Sequence, residues 1–490
     1  MENWLVARAR ATPERLALRH EGAAWNYAAL ARLVERLAGG LAAAGVAPGA
    51  HVGTLLPNGV LFAAVVHALA RLGAVLVPLN TRLTPGELAW QVEAASVRLL
   101  LYGEEIEAAA AEVASITGVA RRAAAGLPAC APVPPPIPLA LDDVQAIVFT
   151  SGTSGRPKGA MLTYGNHFWS ATASAYHLGV LPDDRWLSVL PLYHVGGLAV
   201  LFRSCLYGTA AVLQKGFDLG AVSRSLDEEQ ITIVSLVPTM LYRLLPVRVS
   251  WPARLRLVLL GGAAPGQALL EQATAAGVPV ATTYGLTEAS SQVATMLPDG
   301  VRRKPGSVGR PLLFSEVRIV DEGGEPLAPG QYGEVVVRGP AVMAGYYGEP
   351  EATAHTLREG WLHTGDIGYL DDDGDLWLVQ RRSDVIVSGG ENVYPAEVEA
   401  VLHQHPAVAA AAVVGLPDAE WGERVGALVV PAAGVRLEAE PLLRFLRERL
   451  AGYKLPRTIR FVAALPQTAS GKIARAAVRE MLLAGGDELA

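Results

Sequence analysis

The sequence predicts an α/β protein of at least two domains, and three observations carry that prediction. The chain has 490 residues, more than a single hydrophobic core of ordinary size organises. Over residues 26–79, and again from the loop at 150–159 to residue 283, short apolar runs alternate with stretches of helical spacing, the pattern of parallel strands joined by crossover helices. From about residue 305 the texture changes to short strands and Gly-rich turns, and beyond residue 384 it becomes mixed again. That reads as a small β-barrel-like subdomain followed by a separate α+β domain of about a hundred residues.

Taken in order, Tyr27, Leu30, Leu33, Leu37 and Leu41 fall on one helical face, which Ala47-Pro48-Gly49 closes. His51–Leu56 reads as a strand, Val60–Leu72 as a helix and Ala74–Pro78 as the next strand. Residues 104–125 are Ala-rich and read as helix, and Pro128–Pro138 as a stiff proline-rich connector. Val144–Phe149 has the length and β-branched content of a buried strand. Strands are expected at 186–190, 209–214, 231–235, 255–260 and 278–283 with helices between them, then at 316–320, 333–338 and 376–380. The last segment predicts a helix at 395–404, strands near 408–414 and 425–430, a helix near 439–451 and a final helix after 473.

Composition excludes several classes. With 51% hydrophobic residues and a mean hydropathy of +0.29 the chain is not disordered. A formal net charge of −6 lacks the basic excess of a nucleic-acid binder. Two cysteines, Cys130 and Cys205, imply no disulfide framework and fit a reducing cytosol. The first ten residues lack the apolar core of a secretory signal. The most apolar window, Val60–Leu79, contains His67, Arg71 and Gly73 and reads as a buried helix and strand, not a membrane span. A cytoplasmic protein is expected, and self-association is left open.

Chemistry concentrates in a few stretches. Thr150-Ser151-Gly152-Thr153-Ser154-Gly155-Arg-Pro-Lys158-Gly159 follows the strand 144–149. Its glycines let the backbone approach a ligand, its hydroxyls donate and Lys158 adds a cation, which together suit a polyphosphate. It is not a Walker A loop, because Lys158 follows a proline and precedes a glycine. Tyr284-Gly285-Leu-Thr287-Glu288 ends another strand; a carboxylate there suits Mg²⁺ beside phosphate oxygens, and Thr287 can donate to a phosphate, the alternative being a helix N-terminus. Trp361-Leu-His-Thr-Gly-Asp366 precedes a strand and offers a carboxylate for a ribose diol. Asp371-Asp-Asp-Gly-Asp375 lacks the Gly and Glu positions of a calcium loop and reads as a hairpin turn. No zinc-ligand spacing and no G-x-S-x-G elbow occur, so no covalent acyl-enzyme is expected. The chain has only five lysines, which singles out Lys158 in the loop and Lys472 in Gln467-Thr-Ala-Ser-Gly-Lys472.

These motifs, in this order, resemble the acyl-adenylate-forming superfamily of acyl-CoA synthetases, aryl-CoA ligases, firefly luciferase and peptide-synthetase adenylation domains. The resemblance spans nearly the whole chain. It implies a large domain of αβαβα layers over residues 1–382 and a smaller mobile domain over 383–490. It implies ATP, Mg²⁺ and coenzyme A as cofactor and co-substrates, with a carboxylic acid activated as acyl-AMP and then passed to CoA. By motif, Tyr284 and the Gly262-Ala263-Ala264 turn lie near adenine, Glu288 on Mg²⁺, and Asp366 and Arg381 on ribose. Ser383 is the hinge, Ser388-Gly389-Gly390 meets the pantetheine arm, and Lys472 stabilises charge during adenylation.

Within the superfamily, Gly165-Asn-His167, Asp184-Arg-Trp-Leu187, Leu190-Pro-Leu-Tyr-His194-Val-Gly-Gly197 and Thr287-Glu-Ala-Ser-Ser-Gln292 are most similar to the o-succinylbenzoate–CoA ligases of menaquinone synthesis. That substrate carries a second carboxylate, whose burial requires donors or a cation. His194 opens a helix and flanks the acyl group, its alternative being a helix cap. Ser235, Ser290 and Ser291 stand beside the motifs as donors. Arg203, nine residues beyond His194 and so on another helix face, is either a further ligand or an ordinary surface or ion-paired arginine. Alternatives are a fatty-acid or aryl-acid CoA ligase, an adenylation domain serving a carrier protein, and a non-catalytic ATP-binding regulator.

Overall fold

The computed structural model describes residues 1–128, 132–150, 157–381, 385–432, 434–435, 437–466 and 473–484. The chain forms two compact units. The larger comprises Met1–Thr81, Ala89–Phe149 and Gly159–Gln380; the smaller comprises Arg381–Ala490 with the short segments Arg82–Leu88 and Thr150–Lys158.

The larger unit is organised by three sheets. The first runs Ala294–Met296, Val280–Tyr284, Leu257–Leu260, Ile233–Leu236, Arg185–Ser188, Ala210–Leu213, Leu16–His20, Ala23–Asn26. Its six middle strands are parallel and its two edges antiparallel. The second runs Gly345–Tyr346, Lys158–Thr163, Val144–Thr150, Val75–Pro78, His51–Leu55, Leu99–Tyr102, Ala120–Ala123, with the last five parallel. Parallel strands bury both faces, so they read as continuous apolar runs, and that is why they were visible in the sequence. The Val60–Leu72 helix is buried from Phe62 to Leu72, as a helix that is apolar all round must be. It belongs to one continuous core with residues of both sheets. Its two polar members are accommodated differently: Arg71 pairs with Glu35 at 2.9 Å, while burial pulls the His67 imidazole down to about 4.

The third sheet is antiparallel: Ser307–Gly309, Leu376–Arg381, Trp361–Leu370, Gly333–Arg338, Glu316–Val320, with Leu357–Arg358 on Trp361–Leu370. The Asp371–Asp375 stretch is its hairpin turn, as expected. Lys304 Nζ donates to Asp371, Asp373 and Asp375 at 2.7, 2.6 and 2.6 Å, so an ammonium already sits among the three carboxylates.

In the smaller unit, Val408–Asp418 and Gly422–Pro431 form a long antiparallel pair, extended by Ile386–Ser388 and Glu391–Val393 and, in parallel, by Thr458–Phe461. Strand alternation sorts its residues into two cores. Ala411, Val413, Val425, Ala427 and Val429 face the Pro395–Leu402 and Ala439–Arg447 helices. Ala412, Val414, Leu416 and Leu428 face the Arg475–Leu483 helix.

Two expectations about elements are corrected. Residues 104–125 are not one helix: the α-helix covers Glu107–Thr117, Gly118 ends it at φ 72°, and Ala120–Ala123 is an edge strand beside Leu99–Tyr102. Its sequence, Ala-Arg-Arg-Ala, carries no strand signal because the edge is half exposed. Asp366 does not precede a strand but lies within Trp361–Leu370, at an irregularity in the ladder. No helix among the described residues is long and apolar enough to cross a membrane.

Candidate active site

The candidate residues of the larger unit gather at the carboxyl ends of its first parallel sheet, where open α/β sheets bind ligands. Ser188, Ser235–Leu236, Leu260 and Tyr284 end four of its strands. The Gly261–Pro265 turn follows Leu260, with Gly262 at φ 81°, and Tyr284 ends the neighbouring strand. Tyr284 Oη donates to Asp366 Oδ2 at 2.6 Å. Adenine-side and ribose-side candidates 82 residues apart are thus joined directly. Asp366 is aimed by its bulge: Gly365 turns at φ 73°, Gly365 N–H donates to Glu334 at 3.0 Å and Asp366 N–H to Thr364 Oγ1 at 3.1 Å.

Thr287–Ala289 is a single 3₁₀ turn and not the start of an α-helix. The chain folds back so tightly that a Cβ on Gly285 would fall 1.4 Å from Ser291 O. Ser290 and Ser291 both take positive φ, 51° and 93°, a conformation that costs a non-glycine residue about 1–3 kcal/mol. Tyr346 Oη donates to Glu288 Oε1 at 2.9 Å, and Glu288 is half-buried. One carboxylate oxygen is therefore fixed while the other can serve a hard cation, a donor set that fits Mg²⁺ alongside phosphate oxygens.

The acid-site candidates are linked through residues that the sequence reading passed over. Arg203, on the Val195–Tyr207 helix, is 2% exposed. This corrects the expectation of a surface or ion-paired arginine: among the described residues no carboxylate pairs with it. Its Nη2 donates to Ser170 Oγ at 3.3 Å, its guanidinium carbon lies 5.7 Å from the Trp186 ring, and its Nε has no partner. Ser170 Oγ in turn donates to Ser290 O at 2.6 Å, and Trp186 Nε1 donates to Ser235 Oγ at 2.9 Å. Arg203, Ser235 and Ser290 are therefore one connected group, with Ser170 and Trp186 as its links. Burial, with Arg203 adding to it, pulls the His167 imidazole down to about 3. His167 is thus neutral at ordinary pH, and Arg203 is the cation of the group.

His194 is the N-cap residue of the same helix, but its side chain makes no capping bond, so the helix-cap alternative does not hold. Its ring lies 4.7 Å from that of Tyr193. The loop before it is clamped by Asn58, which donates to Leu190 O at 2.9 Å and accepts from Leu192 N–H at 2.8 Å. Gly197 is required next: a Cβ there would sit 2.2 Å from Pro191 O.

At the base of the candidate phosphate loop Thr150 Oγ1 donates to Lys158 O at 3.5 Å. Ser151, Gly152, Thr153, Ser154, Gly155, Ser383 and Lys472 lie outside the described residues. Arg381 closes the strand Leu376–Arg381. In the smaller unit, Ser388 ends a strand and Gly389 and Gly390 form the hairpin turn at φ 59° and 86°. Trp421, not a candidate from the sequence, packs so closely that a Cβ on Gly389 would meet its ring at 2.6 Å.

This fold and site define an AMP-binding enzyme, and the comparisons agree. The model of the AMP-binding enzyme family matches residues 5–347, and that of the AMP-binding enzyme C-terminal domain matches residues 397–472. The chain belongs to this family. It is 43% identical over 483 residues to a feruloyl-CoA synthase of Amycolatopsis sp, covering 97% of this chain and 98% of that one. It is 41% identical over 484 residues to the 2-succinylbenzoate–CoA ligase of Bacillus mycoides (strain KBAB4), covering 98% and 99%. Among solved structures it is similar to the o-succinylbenzoate CoA synthetase of Bacillus subtilis. The double mutant bound with the product analogue OSB-NCoA gives a TM-score of 0.94 at 39% identity, covering 99% and 98% of the two chains. The same enzyme in complex with ATP and magnesium ion gives 0.77 at 39% identity, covering 99% of each.

Proposed function

We propose that this chain is an ATP-dependent acid–CoA ligase whose acid is o-succinylbenzoate, serving menaquinone synthesis. The observation that carries the choice of acid is Arg203. A guanidinium buried without a carboxylate is costly to the fold, and the cost is offset when a ligand brings the missing anion. A diacid does that: its chain carboxylate reacts while its ring carboxylate pairs with Arg203, with Ser235 and Ser290 as neighbouring donors.

The reaction has two halves. An oxygen of the chain carboxylate attacks the α-phosphorus of ATP, the bond to the bridging oxygen breaks, and diphosphate leaves acyl-AMP. The CoA thiol, losing its proton, then attacks the acyl carbon and AMP departs with the electron pair. Thr150 through Gly155 with Lys158 and Thr287 hold the phosphates. Tyr284, Gly285 and the Gly262–Ala264 turn hold adenine, Asp366 and Arg381 the ribose, and His194 flanks the acyl group. Mg²⁺ on Glu288, when bound, neutralises phosphate charge. Lys472 stabilises the charge that builds at phosphorus, and Ser388–Gly390 receives the pantetheine arm.

A second reading, an aryl monoacid ligase, is favoured by the 43% identity to feruloyl-CoA synthase. Diphosphate release with o-succinylbenzoate, ferulate, benzoate and octanoate at matched concentrations separates the two. The expected outcome is fastest release with o-succinylbenzoate. Preference for ferulate would replace the diacid by an aryl monoacid and leave the ligase reaction standing.

A further inference from the structure

The Tyr164–Leu178 helix turns a polar stripe inward. Asn166, Ser170, Ser174 and His177 recur at helical spacing, and the first three are buried. A buried serine or asparagine needs a hydrogen-bond partner, and three members of the stripe find one on or beside the segment that follows Tyr284. Asn166 Nδ2 donates to Pro340 O at 2.9 Å and Val342 O at 2.8 Å, and the next residue, Met343, donates its N–H to Glu288 O at 2.8 Å. Ser170 Oγ donates to Ser290 O. His177 Nε2 lies 2.8 Å from Thr295 O; a carbonyl only accepts, so that nitrogen carries the proton. One helix thus grips the Glu288 turn and the strand after it at three points.

Ser170 is the member that does two things. A hydroxyl has one proton and two lone pairs. The proton is committed to Ser290 O, at a turn held in a strained backbone conformation. The oxygen is thereby polarised as an acceptor, and it is the only hydrogen-bond acceptor of Arg203 among the described residues. We propose that Ser170 is a positioning residue that couples acid recognition to the nucleotide site, orienting Arg203 on one side and fixing the Ser290 carbonyl behind Glu288 on the other. The proposal rests on the reading of Arg203 as the seat of the acid's second carboxylate. Acid and ATP then strengthen each other's binding through one oxygen, and such coupling is reciprocal.

The test compares wild type, Ser170→Ala, Ser170→Thr, Arg203→Gln and the Ser170→Ala/Arg203→Gln double variant. KM for o-succinylbenzoate, KM for ATP and kcat are measured, with octanoate as the monoacid control. Ser170→Ala is expected to raise KM for o-succinylbenzoate about tenfold, the size expected for losing a hydrogen bond to a charged group, and to raise KM for ATP as well. Ser170→Thr, which keeps the hydroxyl, restores both. In KM for o-succinylbenzoate the double variant is no worse than Arg203→Gln alone, while its KM for ATP is higher, because the bond from Ser170 to Ser290 O is lost as well. An equal rise in the acid's KM with octanoate, no rescue by threonine, or additive penalties in KM for o-succinylbenzoate would overturn the coupling. Urea unfolding of the same proteins separates this outcome from failure of the acid assignment. The two substitutions are expected to be non-additive in stability whichever acid is preferred, and additive costs would contradict the Ser170–Arg203 link itself.

Discussion

Arg203 sets the residue scale because its cost and its use have opposite signs. Replacing a buried charge that has no ionic partner by an apolar side chain of similar volume removes the cost of keeping that charge out of water. Arg203→Met is therefore expected to keep or raise the thermal midpoint while weakening o-succinylbenzoate; a large fall in the midpoint would mean that the arginine serves the fold. Residues of this kind were only partly legible. Tyr284 and Asp366 could each be read from a motif, but not the 2.6 Å bond between them. Ser170 could not be read at all, since a serine on a helix looks like part of a solvated face until the helix is packed. The scarcity of lysine misled in part. Lys304 is held by three aspartates and Lys454 by Glu87 and Glu397 at 2.6 and 2.7 Å, so a rare lysine here also marks structural ion pairs.

At the scale of elements, apolar runs and turn residues located most of the buried parallel strands to within a few residues, but Leu16–His20 and the fully buried Leu99–Tyr102 were passed over. The two elements that were read wrongly share one physical cause. The edge strand Ala120–Ala123 and the bulge that carries Asp366 are fixed by pairing with neighbours, and a linear pattern holds no information about the neighbour. The Asp371–Asp375 hairpin was legible as a turn, but its lysine, 67 residues away from Asp371, was not. Burial pushes the Asp371 carboxyl up, but hydrogen bonds from Lys304 and Trp377 outweigh it and hold it at about 2. A carboxyl depressed on folding contributes stability above its unfolded pKa, near about 4, and loses it as pH falls toward about 2. Lys304→Met is accordingly expected to lower the thermal midpoint at pH 7, with wild type and variant converging as pH approaches about 2. A gap that stays constant over that range would place the effect in packing instead of charge.

For the whole molecule, two buried histidines set a pH dependence. Burial lowers His67 to about 4 and His167 to about 3 from an ordinary 6.5. The unfolded chain takes up protons below pH 6.5 that the fold refuses, so stability is full above that pH and falls as pH decreases. The slope is about 1.4 kcal/mol per pH unit for each histidine. Unfolding midpoints at pH 7, 6 and 5 should fall in that order, and His67→Gln should flatten the decline. An unchanged midpoint between pH 7 and 5 would contradict neutral burial. At this scale the sequence revealed most: the order of motifs, the large and small parts, and the superfamily. It could not show that one helix, Tyr164–Leu178, reaches both the Glu288 turn and Arg203, because that depends on how the helix packs.

The central claim is that Arg203 receives the second carboxylate of the acid. The most direct measurement compares o-succinylbenzoate with 4-oxo-4-phenylbutyrate, the same acid without its ring carboxylate, as kcat/KM for CoA- and ATP-dependent thioester formation. In wild type the ring carboxylate should be worth about a hundredfold, the scale of a charge-assisted pair in a desolvated site. In Arg203→Met that advantage should disappear, with the two acids used at similar rates. An advantage that persists undiminished in Arg203→Met, or that is absent from the wild type, would contradict the account.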